Sequence, residues 1–385
     1  MMKYITLTAI LLGLTVSLAS GEKMEASAKL QENLWKTTPG KSVNISEITT
    51  YKDFLPFTFK DSGPPIMFSD DPEYARDMGI CARELIDIGT ARLYLYNVNA
   101  TPSNHFKFSI LLKNVSEKKA TVSILRRGVA NPSQDYLGVG KRALEDFLKG
   151  NKEKDIHINP DQVVHLDKFW EKHSVKYNEL AHGFYEIYTD QPLDVIFCAL
   201  PNVLNPIKAY SSMTALTSKN TNAGRGLYVS SDRKVNVDKV IDTQNGVDRI
   251  RLVDGVADTW VKGTDHLTGD AVKLAGNYGV LYSVNIPIKS MDGRDVAVVI
   301  MAEPSGQDGC AYGGLIETSP SMNLSPSGIF HTPSDKWAFL DNSNGALVGI
   351  YRPGKETQNL ELKFSPPGSS CLPVDFLFIP VKAKK

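Results

Sequence analysis

The chain has 385 residues, 42% of them hydrophobic, and 43 lysines and arginines balance 43 aspartates and glutamates to a formal net charge of zero. That length and apolar content build real cores and about two domains. The balance excludes the basic excess that neutralises a phosphate backbone, so nucleic-acid binding has no electrostatic support, and the acidic excess of a solvating, disordered chain is absent too.

The chain opens with "MMKYITLTAILLGLTVSLASGEKMEA", in which Lys3 is basic, Tyr4 to Leu18 carry no charge, and Ser17, Ala19, Ser20 and Gly21 are small. This is the layout of a secretory signal peptide over residues 1–21, cleaved after Ala19 or Gly21. An apolar run of roughly 15 residues falls short of the about 20 that a membrane span needs. No later segment is apolar for long enough, so the expected mature protein has no membrane span and is secreted or associated with the cell surface.

Residues 22–61 are polar and weakly patterned and read as a lead-in. Ser62 to Pro65, "SGPP", marks a break, after which strand signals dominate. "HFKFSILLKN" alternates Phe106, Phe108, Ile110 and Leu112 with other residues at the two-residue period of a half-buried strand. "VSEKK" turns it and "ATVSILRRG" follows, a pattern that predicts a long hairpin. Further strands are expected in "ARLYLYNVNA", "KDIHINP" and "GFYEIYTDQPLDVIFCAL".

One stretch interrupts the strands. "GVGKRALEDFLKG" superficially resembles a phosphate-binding loop, but the G-x-x-x-x-G-K-[ST] pattern would place its first glycine at Asp135 and its hydroxyl at Arg142. Tyr136, Val139, Gly140, Ala143, Leu144, Phe147 and Leu148 instead recur at i, i+3, i+4 and i+7. This predicts an amphipathic helix over 134–149, with Ser133 as N-cap and Gly150 as the stop.

The expected fold is mainly β, with two β-sandwich domains of Ig-like or jelly-roll-like type. The first covers 62–204 and carries the inserted helix; 205–226 is a small, polar linker; 227–385 forms the second. There, "SMDGRD" places Asp292-Gly293 between two β-rich runs, a hairpin signal because both turn positions favour positive φ.

The four cysteines are Cys81, Cys198, Cys310 and Cys371. In an exported chain an even count permits two disulfides, and adjacency in sequence suggests Cys81 with Cys198 and Cys310 with Cys371. The second pair joins two glycine-rich loops; Cys198 alternatively reads as a buried free thiol. His157, His165 and His173 are evenly spaced but match no compact metal motif, and His182 reads as a strand residue. His266 and His331 fall in turns. There is no G-x-S-x-G elbow. Asp254, Asp258, Asp265 and Asp270 cluster in "DGVADTWVKGTDHLTGD", where oxygen ligands in a glycine-rich loop would suit calcium. Aspartates at turns also cap their own backbone, and that reading comes first; calcium is the one cofactor entertained. Trp260, Tyr278, Tyr282, Tyr312 and Trp337 are candidate ligand-binding aromatics, set against the ordinary role of aromatic rings as core volume.

"PSQDYLGVGKRALEDFL", "RGLYVSSDR", "RIRLVDGVADTW" and "GNYGVLYSV", over most of residues 70 to 300, resemble segments of a group of uncharacterised exported proteins of Gram-positive, Firmicutes-type bacteria. In that group the region often accompanies a copper amine oxidase N-terminal-like (stalk) domain, which is not evident here. "SGQDGCAYGG" departs from the pattern by its cysteine. The resemblance implies an envelope or secreted protein and no catalytic residues. The expected function is non-catalytic binding or structure at the cell surface, with an envelope glycan or another surface protein as partner. The alternative is an extracellular polysaccharide hydrolase or lyase whose carboxylates converge between the domains; the shape and lining of any cleft discriminate the two.

Overall fold

The computed structural model describes residues 23–50, 54–150, 153–217, 224–302, 311–319, 323–339 and 343–384. The expected signal peptide and Cys310 lie outside the described residues. Among the described residues the strands form four sheets, of nine, seven, five and four strands.

The nine-stranded sheet is the centre of the molecule. Its longest pairing joins Gly89–Asn99 to Leu180–Thr189, antiparallel from Val98↔Leu180 to Gly89↔Thr189. Alternate residues of a strand face opposite sides, and here both sides are apolar. Met67, Leu93, Leu95, Val122 and Tyr185 pack on Phe108, Ile110, Leu112, Val195 and Phe197 of the four-stranded sheet. Phe68, Tyr94, Tyr96 and Phe184 point the other way, into a core continuous with the helix and the remaining sheets. There Val235, Val284, Ile286 and Leu362 of the seven-stranded sheet face Val296, Val298, Val348, Phe376 and Phe378 of the five-stranded one. Helix α1 (Ala28–Lys36) covers the outer side of the five-stranded sheet with Leu30 and Leu34.

The two halves of the chain exchange strands. Ser42–Asn44 pairs with Asn344–Tyr351 and Phe57–Ser62 with Asp232–Val237, so the lead-in belongs to the sheets of the second half. Arg225–Tyr228 and Lys262–Asp265 extend the nine-stranded sheet beyond Ile66–Ser69. In the expected linker, Pro206–Ala209 forms a helical turn capped by Asn205. Ala215 bridges Ile80, and Met213 and Tyr210 pack on the outer face of the four-stranded sheet.

Both expected hairpins are instead arches. Phe106–Asn114 lies in the four-stranded sheet while Ala120–Val129 lies in the nine-stranded one. The connecting turn is held by Asn114, whose Nδ2 donates to the carbonyls of Lys118 (2.6 Å) and Ile158 (3.0 Å). Leu281–Lys289 and Asp295–Ala302 likewise enter different sheets, although Gly293 has the expected positive φ of 76°. A turn signal fixes where the chain reverses, not which partner it meets. Strands as fully buried as Asp295–Ala302 require neighbours on both edges and both faces.

A Cys81–Cys198 bridge is also ruled out: both are buried free thiols. They stand on adjacent strands, but Cys81 faces the core between the two sheets and Cys198 the outer side with Ile80 and Leu111.

Helix α2 spans Tyr136–Lys149, with Gly150 left-handed at its end (φ 73°). Its cap is Asp135, which accepts the Gly138 N–H at 2.9 Å, while Ser133 binds the Asp135 N–H one step earlier. Phe147 stacks on Phe184 with ring centroids 3.7 Å apart. The glycines serve close packing. A Cβ on Gly140 would stand 2.4 Å from the Gly368 carbonyl oxygen, and one on Gly128, beneath the helix, 2.0 Å from that of Ala143. Gly140→Ala gains about 1 kcal/mol of helix propensity but forces the helix off the 365–372 loop, an overpacking cost of about 1–3 kcal/mol. Urea unfolding is expected to show a net loss of stability; a gain would show that the loop yields freely.

His182 is a core residue. Its Nδ1–H donates to the Leu95 carbonyl at 2.8 Å, and its ring lies 4.7 Å from that of Tyr94 and 5.6 Å from that of Tyr96. Burial pushes the imidazole down to about 4, against the opposing effect of that hydrogen bond. Above pH 6.5 both folded and unfolded histidine are neutral. As pH falls toward 4 only the unfolded form takes a proton, so this residue removes about 3 kcal/mol of stability over that window. The stability gap between wild type and His182→Asn is expected to shrink by this amount between pH 7 and 4 in denaturant titrations; a pH-independent gap would place the imidazole in a polar setting.

Candidate functional site

A concavity of about 470 Å³ lies where the solvent side of the seven-stranded sheet meets α2 and the strand Ala120–Val129. That volume is within the range of small-molecule and glycan pockets. The floor is Leu148, Leu281, Tyr282 and Phe364; Arg126, Asp232, Lys234, Ser283, Glu317 and Lys363 rise around it.

The charged residues reach it through strand alternation. In Phe57–Ser62 and Asp232–Val237 the apolar positions turn inward and Lys60 and Lys234 are exposed. The registers Lys60↔Lys234, Lys234↔Ser283, Ser283↔Lys363 and Lys363↔Glu317 make a single row across five strands. Adjacent strands lie about 4.8 Å apart, so Lys234 and Lys363, two strands apart, are separated by roughly 10 Å.

Nearby acids are already committed. Arg233 is buried and holds Asp61 through two hydrogen bonds, at 2.6 and 2.9 Å, as well as Asp258. Asp258 also accepts from Tyr282 (2.9 Å) and the Val253 N–H (2.7 Å). Asp232 is held at 2.7 Å by Arg92. Among the described residues Lys60, Lys234 and Lys363 make no ion pair within 4 Å. Lys60 and Lys234 stand directly opposite one another, which is unfavourable for like charges on a sheet. Arg126 sits over the Phe147 ring at 5.5 Å, with Glu186 only at 3.9 Å. The rim is therefore a row of lysines above an apolar floor, with Glu317 at one end and Glu361, bonded to Ser283 at 2.6 Å, beside it.

The residues singled out from sequence are dispersed. Tyr282 lies in the groove floor and Tyr278 lines a separate, smaller pocket. Tyr312 is buried against Phe339, Trp260 is half-buried beside Gly255, and Trp337 is exposed with its indole N–H on Asp135 at 3.0 Å. The four aspartates do not converge either. Asp254 caps its own turn through the N–H groups of Val256 and Asp258, Asp258 serves Arg233, and Asp265 pairs with Arg225 at 2.7 Å. Asp270 is exposed at the end of a hairpin. Among the described residues no group of three histidine, cysteine or acidic side chains is arranged to hold a metal ion. No helix among them is long and apolar enough to cross a membrane. The lysine row gave no signal of its own in the sequence, since its members come from strands distant along the chain.

No protein-family model matches the chain, and no curated protein matches it. Among solved structures it is weakly similar to an oxalate decarboxylase–formate complex of Lactobacillus farciminis, at 8% identity and a TM-score of 0.16, over 87% of this chain and 90% of that one. It is also similar to a tandem CBM22 domain from Paenibacillus barcinonensis Xyn10C, at 10% identity and 0.14 over 75% and 82%, and to the 7S globulin of Momordica charantia, at 8% and 0.14 over 78% and 72%. Likenesses at this level carry no argument.

Proposed function

We propose that the chain is an exported, non-catalytic binding protein of the cell surface that holds an anionic envelope glycan across the lysine row. The observation that supports this is the register Lys60, Lys234, Ser283, Lys363, which sets unpaired cations along one line above an apolar floor. A glycan carrying a charge on successive or alternate sugars offers acids at intervals comparable to those of the lysines, while Ser283 between them is engaged with Glu361 at 2.6 Å. Export rests on the leader-like pattern of residues 1–21 and on the resemblance to exported envelope proteins.

Binding through exposed lysines falls with ionic strength. The wild type is expected to bind an acidic polysaccharide such as polygalacturonate at low salt and to ignore neutral dextran. Each lysine contributes about 0.5–1 kcal/mol, so Lys60→Gln/Lys234→Gln/Lys363→Gln weakens binding roughly 10-fold or more. Titration calorimetry at two salt concentrations measures this. Equal affinity for dextran would sink the reading, and release of new reducing ends or unsaturated products would turn it toward a hydrolase or lyase.

The Cys310–Cys371 bond is proposed alongside export. The Cys371 N–H donates to the carbonyl of Ala311, the neighbour of Cys310, at 2.9 Å. Non-reduced protein is expected to expose two thiols, Cys81 and Cys198, and only on unfolding; four thiols in denaturant would overturn the bond.

A further inference from the structure

A second pocket, about 180 Å³, shares no lining residue with the lysine groove. It is lined by Phe68, Tyr94, Tyr96 and Tyr278, with Asp70 and Glu73 as its charged groups and the Gly368–Ser369 turn at its edge. Phe68 and Tyr94 stack at 4.6 Å. The turn is itself anchored: Tyr278 donates to the Ser370 carbonyl at 2.8 Å, and Ser370 Oγ to that of Gly313 at 2.8 Å.

One polar atom here lacks what buried groups ordinarily have. Asp70 Oδ1 is buried without a hydrogen-bond partner, while the Tyr94 hydroxyl beside it lies against the Gly368 backbone. Leaving such groups unpaired costs free energy, most of all for a carboxylate. The ionisable groups that bear on Asp70 are Glu73, Asp71 and the phenols of Tyr74, Tyr94, Tyr96, Tyr228 and Tyr278. Every one is an acid or a phenol, and none supplies a positive charge. Burial holds the carboxyl of Asp70 well above the usual range, with repulsion from Glu73 and Asp71 adding to it; burial alone raises that of Glu73.

What would complete this pocket is a positive charge that brings hydrogen-bond donors. We infer that it binds a primary alkylammonium group on an unbranched stem, the ammonium against Asp70 and Tyr94 and the stem along the aromatic lining of the pocket. A primary ammonium has three N–H donors, enough for Asp70 Oδ1, Tyr94 Oη and the Glu73 carboxylate. Its charge is attracted by the two carboxylates. A quaternary ammonium has no N–H to donate and would leave Asp70 Oδ1 unpaired. A neutral alcohol would bond it but not offset two acids. The volume is well below that of ordinary glycan-sized pockets, and Tyr94 and Tyr96 are only 2% and 5% exposed, so neither ring face is open to a stacked sugar. The same limits keep a polysaccharide chain from reaching Asp70 and Glu73 as a hydrolytic pair.

The test is calorimetric titration of the full chain at pH 8 with n-butylammonium, glucosamine, tetramethylammonium and 1-butanol. Butylammonium is expected to bind, the other three to bind at least tenfold more weakly, and butylammonium binding to weaken as pH falls and the carboxyls take up protons. Asp70→Asn should reduce butylammonium affinity at least tenfold while melting no lower than wild type, because it removes an unpartnered buried acid. Glu73→Gln, at a half-buried position, provides a second variant expected to weaken binding should the first fold poorly. No butylammonium binding, equal binding of tetramethylammonium or butanol, or full affinity in both variants would overturn the inference. Stronger binding of glucosamine would replace the unbranched stem with an amino sugar and overturn that part of it.

Discussion

The guanidinium of Arg92 is the contact on which the joint between the two halves depends. It is nearly inaccessible on the central strand of the nine-stranded sheet, bonded to Glu186 beside it at 3.0 Å. On the other side it meets Asp232 at 2.7 Å and the Ser231 carbonyl, both at the start of a seven-stranded-sheet strand. Removing one member of a buried ion pair costs about 3–5 kcal/mol because the other charge is left behind. The apolar contact between the halves is large but tolerant of sliding. A planar donor set with fixed acceptors on both sides is not, so Arg92 sets the register in which the sheets meet α2.

The groove follows from that register. Arg92 engages Asp232, and Arg233 engages Asp61 and Asp258, which withdraws three acids from the rim. The sorting is a consequence of strand period: in Lys60-Asp61 and in Asp232-Arg233-Lys234, neighbours in sequence point to opposite faces. Arg233 falls on the buried side with Asp61 and Asp258, whereas Asp232 shares the wet face with Lys234 and is held there by Arg92 reaching in from the nine-stranded sheet. Arginine suits the buried position because its fork bonds two partners at once, whereas lysine keeps its hydration at the surface.

Local features were legible in the sequence where the cause was local. The i, i+3, i+4 recurrence and Gly150 located α2, and strand periodicity gave the mainly β fold. The N-cap moved from Ser133 to Asp135 because both side chains bind a nearby N–H and only tertiary packing decides which begins the helix. The two arches were read as hairpins because Asp292-Gly293 and the 115–119 turn specify a reversal, while partner choice depends on which sheet buries the returning strand. Cys81 and Cys198 stand near each other, yet strand parity sends them to opposite faces. Tyr278 and Tyr282 lie in pockets, but Lys234 and Lys363, which charge one of them, become neighbours only through register between distant strands, and Asp70 and Glu73, close in sequence, meet Tyr94 and Tyr278 only through the fold.

Net charge is therefore a poor guide to this molecule. A total of zero excludes a field spread over the whole surface, such as a nucleic-acid binder presents, but says nothing of charge sorted by position. Here the sorting yields a basic groove and a smaller acidic pocket. The two differ in their response to salt, since screening acts on exposed lysines and far less on a buried carboxylate. If both proposed ligands bind, they do so without competing, and a rise in ionic strength releases the one at the lysine row while leaving an ammonium beside Asp70 in place.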